Sequence, residues 1–141
     1  MQGFVTGTPN LLLRAEATLV LVGAVAAYAS LGSSWTLFAL LILIPDVSIL
    51  GFLAGPRVGA VTYNAAHWHG IPLSILGYGF SGHSPIMLDV GLIWIAHISF
   101  DRMIGAGLKY PDGFRFSHLG VYGAKKLANS RSSVGNPCLR Q

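Results

Sequence analysis

Two long stretches without a charged residue constrain this chain more than any other feature. No Asp, Glu, Lys or Arg occurs from Ala17 to Pro45, and none from Val58 to Leu88. Each stretch exceeds the roughly 20 apolar residues that a helix needs to cross a hydrocarbon core. Apolar residues make up 52% of the 141 residues and charged residues 10%. A soluble domain carries about a quarter charged residues, so the surface of this fold is expected to face lipid.

Glycine, proline and capping residues divide the chain. Helix 1 is expected over residues 10–31, with Asn10 as its N-cap. A tight turn at residues 31–34 leads into helix 2, residues 34–54, which contains Pro45 and ends at Gly55-Pro56. Helix 3 covers residues 56–80 with a kink at Pro72. Ser84 and Pro85 open helix 4, residues 85–106. The expected fold is all-α: a polytopic membrane four-helix bundle with short loops. Residues 1–110 form the transmembrane domain and residues 111–141 a basic cytoplasmic tail, with one short interfacial helix around Leu119–Ala128. Gly51, Gly55 and Gly59, spaced by four, let helices 2 and 3 approach closely.

The net charge is +4. Lys109, Arg115, Lys125, Lys126, Arg131 and Arg140 concentrate it beyond the last span. That is a topology signal rather than a nucleic-acid interface. With Arg57 in the turn at 55–57 and no Lys or Arg at 32–34 or 81–84, both termini are expected in the cytoplasm. No cleaved signal peptide is expected, because the start lacks a basic region and Arg14 and Glu16 interrupt the approach to the first apolar run. The single Cys138 excludes an intrachain disulfide and a cysteine-built metal site.

Ionisable groups within spans are costly and are functional candidates by default. They are Glu16, Asp46, His67, His69, Asp89, His97, Asp101 and Arg102. At 1.5 Å per residue, Glu16, Asp46, His67, His97 and Asp101 lie roughly 7–15 Å from the cytoplasmic ends of their helices. Four helices therefore place polar groups in one half of the bilayer. His97 and Asp101, four apart, share a face of helix 4, and Asn64 and His67, three apart, share one of helix 3. Imidazoles and carboxylates converging inside a bundle make a metal site, and this donor mix suits Zn²⁺, Mn²⁺ or Fe²⁺. The metal ligands are then Asp46, His67, His97 and Asp101. Glu16 serves as a further ligand or general base, and Asn64, on the His67 face of helix 3, is a second catalytic candidate. Arg57 and Arg102 hold an anionic headgroup. The rival reading is a neutral hydrogen-bonded network that fixes helix packing. His69, His83 and His118 are read as structural or exposed, Trp35 as an interface anchor, and Trp94 as packing.

Three stretches also resemble a known family. Pro45-Asp46-Val47-Ser48-Ile49-Leu50-Gly51-Phe52-Leu53-Ala54-Gly55-Pro56-Arg57-Val58-Gly59-Ala60, Tyr63-Asn64-Ala65-Ala66-His67 and Gly91-Leu92-Ile93-Trp94-Ile95-Ala96-His97-Ile98-Ser99-Phe100-Asp101-Arg102 are similar to a small bacterial membrane family, domain of unknown function 4260. Gly107-Leu108-Lys109-Tyr110-Pro111 fits it too, and the match runs roughly from Leu11 to Leu119. It implies a bacterial origin, hence the inner membrane, and four spans, but no activity. A weaker likeness links Pro45-Asp46, His67 and His97…Asp101 to the membrane-bound metal-dependent hydrolases. Their longer His-Arg-Gly-x-Thr-His-Ser element is replaced here by Asn64-Ala65-Ala66-His67.

Three functions follow as expectations. The first is metal-dependent hydrolysis of a lipid-linked phosphate or ester, with membrane lipid as partner. The second is a non-catalytic accessory subunit of a larger redox or pigment-protein complex, or a homo-oligomer. The third, ranked last, is a transporter or channel.

Overall fold

Prolines decide where the helices of this chain stop. A proline ring collides with the carbonyl four residues earlier and offers no N–H to it. Pro45 thus forbids a helix running through Leu41, and α2, Trp35–Leu41, ends on that residue. A 3₁₀ segment, Pro45–Ala54, continues the same rod. Pro72 acts likewise on Trp68. Helix α3, Pro56–Ala66, stops just before it, and α4, Gly70–Phe80, restarts after it with Pro72 in its first turn. The remaining rods are unbroken: α1, Thr8–Ser30, and α5, Pro85–Ile104.

These assignments come from a computed structural model describing residues 5–82, 84–111 and 116–121. The architecture is an all-helical arrangement of four rods, two of them broken at proline. Two segments, Thr8–Ser30 and Trp35–Ala54, are long and apolar enough to cross a membrane. The expected uninterrupted helix 2 is corrected by the Pro45 break. The expected Asn10 cap is corrected as well: Gly7 is the N-cap, Pro9 occupies the first turn, and Asn10 lies inside α1. Asn10 Nδ2 instead donates to the carbonyls of Val5 and Leu119, at 2.8 and 2.9 Å.

α5 is the hub. It packs against α1, α4 and α2, while the 3₁₀ segment packs against α3. From Gly91 to Ser99 every α5 residue except Trp94 is buried. Gly91 and Gly79 permit the α4–α5 approach, since a Cβ on Gly91 would touch the Leu76 backbone and one on Gly79 the Leu88 backbone. Gly51 and Gly59 do the same between the 3₁₀ segment and α3. A methyl there would run into Thr62 and the Phe52 ring. Gly55 has another role, turning the chain at φ 121°, where side chains are strained.

At one end of the bundle Ser33 Oγ donates to Asp89 at 2.6 Å and Tyr28 Oη to the Ser34 carbonyl at 2.6 Å. Trp35, 55% exposed, sits edge-on to Tyr28. At the other end, the described residues after Gly105 fold back over the helices. Two short strands, β1 Phe116–Ser117 and β2 Gly120–Val121, form a hairpin. The expected interfacial helix therefore does not begin at Leu119, which lies in the hairpin turn. The rest of that prediction lies outside the described residues, as does His83. Arg14 Nε donates to the Met103 carbonyl at 2.7 Å and the Val5 N–H to the His118 carbonyl at 3.0 Å, tying α1 to this cap.

Candidate metal centre

The two proline breaks and the α5 hub bring four sequence-distant residues together. Asp46 lies in the first turn of the 3₁₀ segment, because Pro45 restarts the chain there. His67 caps the end of α3 at the Pro72 break, its φ of −101° already outside the helix. His97 and Asp101 come from α5, one turn apart. One donor atom from each lies within 4.8 Å of all the others.

The individual distances are informative. His67 Nε2 is 3.1 Å from His97 Nε2, 3.4 Å from Asp101 Oδ2 and 3.8 Å from Asp46 Oδ1. His97 Nε2 is 3.6 Å from Asp46 Oδ1. A tetrahedral ion with ligands at 2.0–2.2 Å separates those ligands by about 3.3–3.6 Å. Four edges of the cluster are thus already close to that size. Both histidines are buried, Asp101 is 14% exposed and Asp46 36% exposed.

Proton placement follows from the partners. His67 Nδ1 lies 2.9 Å from the Tyr63 carbonyl, which can only accept, so Nδ1 carries the proton. His67 Nε2 is then a free lone pair turned toward His97 Nε2 at 3.1 Å. A cation between the two nitrogens, or a proton on His97 Nε2, makes that approach favourable. Backbone-anchored imidazoles with free Nε2 atoms are the usual form of histidine metal ligands.

A surrounding shell holds the donors. Tyr63 Oη donates to Asp101 Oδ2 at 2.6 Å and to the Ala106 carbonyl at 3.1 Å. Its ring stacks on His67 at 3.7 Å. Lys109 Nζ lies 5.2 Å from the Tyr63 centroid. Burial holds the Lys109 ammonium below its ordinary pKa, against the pull of Asp101 and Asp46. Trp94 Nε1 donates to the Ala66 carbonyl at 2.8 Å, pinning the end of α3.

The other sequence candidates lie elsewhere. Asn64 is spent on structure: Nδ2 donates to the Lys109 carbonyl and Oδ1 accepts from the Lys109 N–H, at 2.9 and 2.7 Å. Glu16 and Arg102 line a separate cavity with His69, Ser99 and His118. His69 and His118 are thus half-buried cavity residues rather than exposed ones. Arg57 is exposed near the start of α3. Sequence reasoning missed Tyr63 as a site residue. Its signal was its place four before His67, on the same helix face.

An apolar cleft of about 300 Å³ runs up to the cluster between α1, α2 and α5. Leu21, Val25, Phe38 and Phe100 contribute to its walls, and Asp46, His97 and Asp101 stand among them. Four donors and an adjoining greasy cleft are the chemical inventory of the site.

The chain belongs to the family described as domain of unknown function (DUF4260), whose model matches residues 10–122. No curated protein and no solved structure matches it.

Proposed function

We propose that this chain is a metal-dependent hydrolase of the bacterial cytoplasmic membrane, acting on a lipid-linked phosphate or ester from the cytoplasmic side. The observation that carries the reading is the pair of buried Nε2 atoms 3.1 Å apart, flanked by two carboxylates. With both histidines neutral, the cluster carries two negative charges. A shared proton cancels one of them, whereas a divalent cation cancels both. In a low-dielectric interior that difference is worth several kcal/mol.

Asp46, His67, His97 and Asp101 would hold the ion. Such an ion supplies Lewis acidity to a water and to a phosphoryl or carbonyl oxygen. Tyr63 orients Asp101, and the Tyr63 carbonyl fixes the tautomer of His67. Asp46 is the most exposed of the four and borders the cleft. Its carboxylate is the group placed to accept a proton from water there. The cleft's apolar walls fit a hydrocarbon tail and keep bulk water away from the cluster.

The membrane placement is supported by the surface. Leu11, Leu19, Leu53 and Phe80 are 69–86% exposed on the outside of the rods. Lipid is the solvent that such a surface fits. Residues 111–141 are then a cytoplasmic tail, and the cluster lies in the cytoplasmic half of the bilayer.

Metal analysis of detergent-purified protein tests this. Near-stoichiometric Zn, Mn or Fe is expected in wild type, with loss in His97→Ala and His67→Ala. Hydrolysis of lipid phosphates and esters is then assayed with and without chelator. Absence of metal after both aerobic and anaerobic purification would refute the proposal.

A further inference from the structure

The metal cluster uses one side of α5. At about 100° per residue, Ser99 and Arg102 point about 200° and 140° away from His97. They line a second cavity of about 130 Å³, closed by Glu16 and Ala17 of α1, by His69 at the α3–α4 break, and by His118 and Leu119 of the hairpin. Its volume is well above the roughly 10–15 Å³ needed for one water.

The polar atoms in its wall are unsatisfied. Ser99 is 1% exposed, and its Oγ has no hydrogen-bond partner. His118 Nδ1 is equally buried and equally unpartnered. Its ring sits over Gly107, where any Cβ would collide with it. The side chains of Arg102 and His69 make no hydrogen bond or ion pair among the described residues, although Arg102 is half-buried. Buried donors without acceptors are uncommon, and each costs about 1–3 kcal/mol until it finds one. Here two such atoms, Ser99 Oγ and His118 Nδ1, border one space together with the half-buried side chains of His69 and of Arg102, a permanent cation. Among the cavity's groups only Glu16 is acidic, and it is exposed at the rim.

We propose that this cavity binds a phosphate group, with Arg102 as its charge partner and Ser99 Oγ, His118 and His69 as hydrogen-bond donors. Guanidinium and phosphate match in charge and in bidentate geometry. The phosphate comes either from a lipid headgroup or from solution. The site is separate from the metal cluster and does not depend on it. Its occupation would clamp the hairpin onto α1 and α5.

Thermal unfolding of the full-length protein in non-ionic detergent, with EDTA present, tests this. One series adds inorganic phosphate, and a second adds micelles doped with phosphatidic acid. Ligand binding to the folded state raises Tm, with the logarithm of ligand concentration over Kd. A rise in both series supports a phosphate site open to solution, and a rise with the lipid alone supports a headgroup site. In either case Arg102→Gln is expected to weaken binding at least tenfold and Ser99→Ala three- to tenfold. His97→Ala is expected to leave binding unchanged. Glu16→Gln removes the opposing charge and is expected to strengthen phosphate binding several-fold. Should Arg102→Gln fail to fold, Ser99→Ala still decides. Without ligand its Tm is expected to equal or exceed wild type, because the hydroxyl it removes has no partner. No Tm rise with either ligand, or equal rises in wild type and Ser99→Ala, would overturn the site, as would weaker binding in Glu16→Gln.

Discussion

Tyr63 is where one hydroxyl does most for the cluster. Its Oη reaches both Asp101 and the Ala106 carbonyl, so it aims the carboxylate while fastening the chain beyond Gly105. Phe retains the stacked ring and removes both bonds. Tyr63→Phe is therefore expected to fold while losing 10- to 100-fold in metal affinity, the usual cost of a lost outer partner. A competitive metal titration in detergent reads this, and unchanged affinity would show that the hydroxyl serves packing alone. Asp46, His67, His97 and Asp101 were legible in the sequence because ionisable residues stand out in apolar runs. Tyr63 was not, because tyrosine is common in spans and its partner lies 38 residues away.

His118 sets a pH dependence at the same scale. Burial holds its imidazole below the ordinary value of 6.5, as does Arg102, with the Leu108 backbone opposing. The unfolded chain then binds more protons than the folded one as pH falls below 6.5, so stability drops with pH in that window. The contribution is complete above 6.5 and is lost as pH falls toward the lower folded-state value. Between pH 7 and pH 5, wild type is expected to lose more Tm than His118→Gln. Parallel Tm–pH curves would show that His118 is solvated in the native state.

At the scale of elements, Pro45 and Pro72 are the devices that build the cluster. Each stops a helix about one turn earlier, and each break delivers a ligand: Asp46 just after Pro45, His67 just before the α4 restart. The kink in helix 3 was legible, because Pro72 falls in the middle of an apolar stretch. The break in helix 2 was not, because the residues around Pro45 keep the composition of one continuous span. Only the proline's clash with the Leu41 carbonyl separates the two outcomes. Alanine at position 72 removes that clash from the Trp68 carbonyl and favours a continuous α3–α4 helix by up to about 3 kcal/mol. Circular dichroism of Pro72→Ala is expected to show equal or greater helicity. Metal affinity is expected to fall at least tenfold, because His67 is drawn back into helical geometry. Full affinity at raised helicity would mean that His67 owes its position to the Tyr63 stack and not to the break.

For the whole molecule, sidedness links every functional statement above. The cluster, the proposed phosphate cavity, the hairpin and Lys109 all lie at the end of the bundle where α1 begins and α5 ends. The opposite end is closed by the Ser33–Asp89 and Tyr28–Ser34 contacts. On the proposed four-crossing reading both chain ends share one side, and the distribution of Lys and Arg would make that side the cytoplasm. The lone cysteine makes this testable with little engineering. Cys138 follows the last span, so a membrane-impermeant maleimide is expected to label it in inverted vesicles and not in intact spheroplasts. Moving the thiol to the other end, as Cys138→Ser with Ser81→Cys as probe, is expected to reverse the pattern. Position 81 suits the purpose because its hydroxyl bonds only the Gly77 carbonyl and the residue is exposed. Labelling of Cys138 from outside would invert the molecule. The carboxylates and the phosphate cavity would then face the periplasm, and a substrate of the outer leaflet would replace the cytoplasmic one. Equal labelling of both thiols from one side would mean that α5, the one rod between positions 81 and 138, does not cross the membrane.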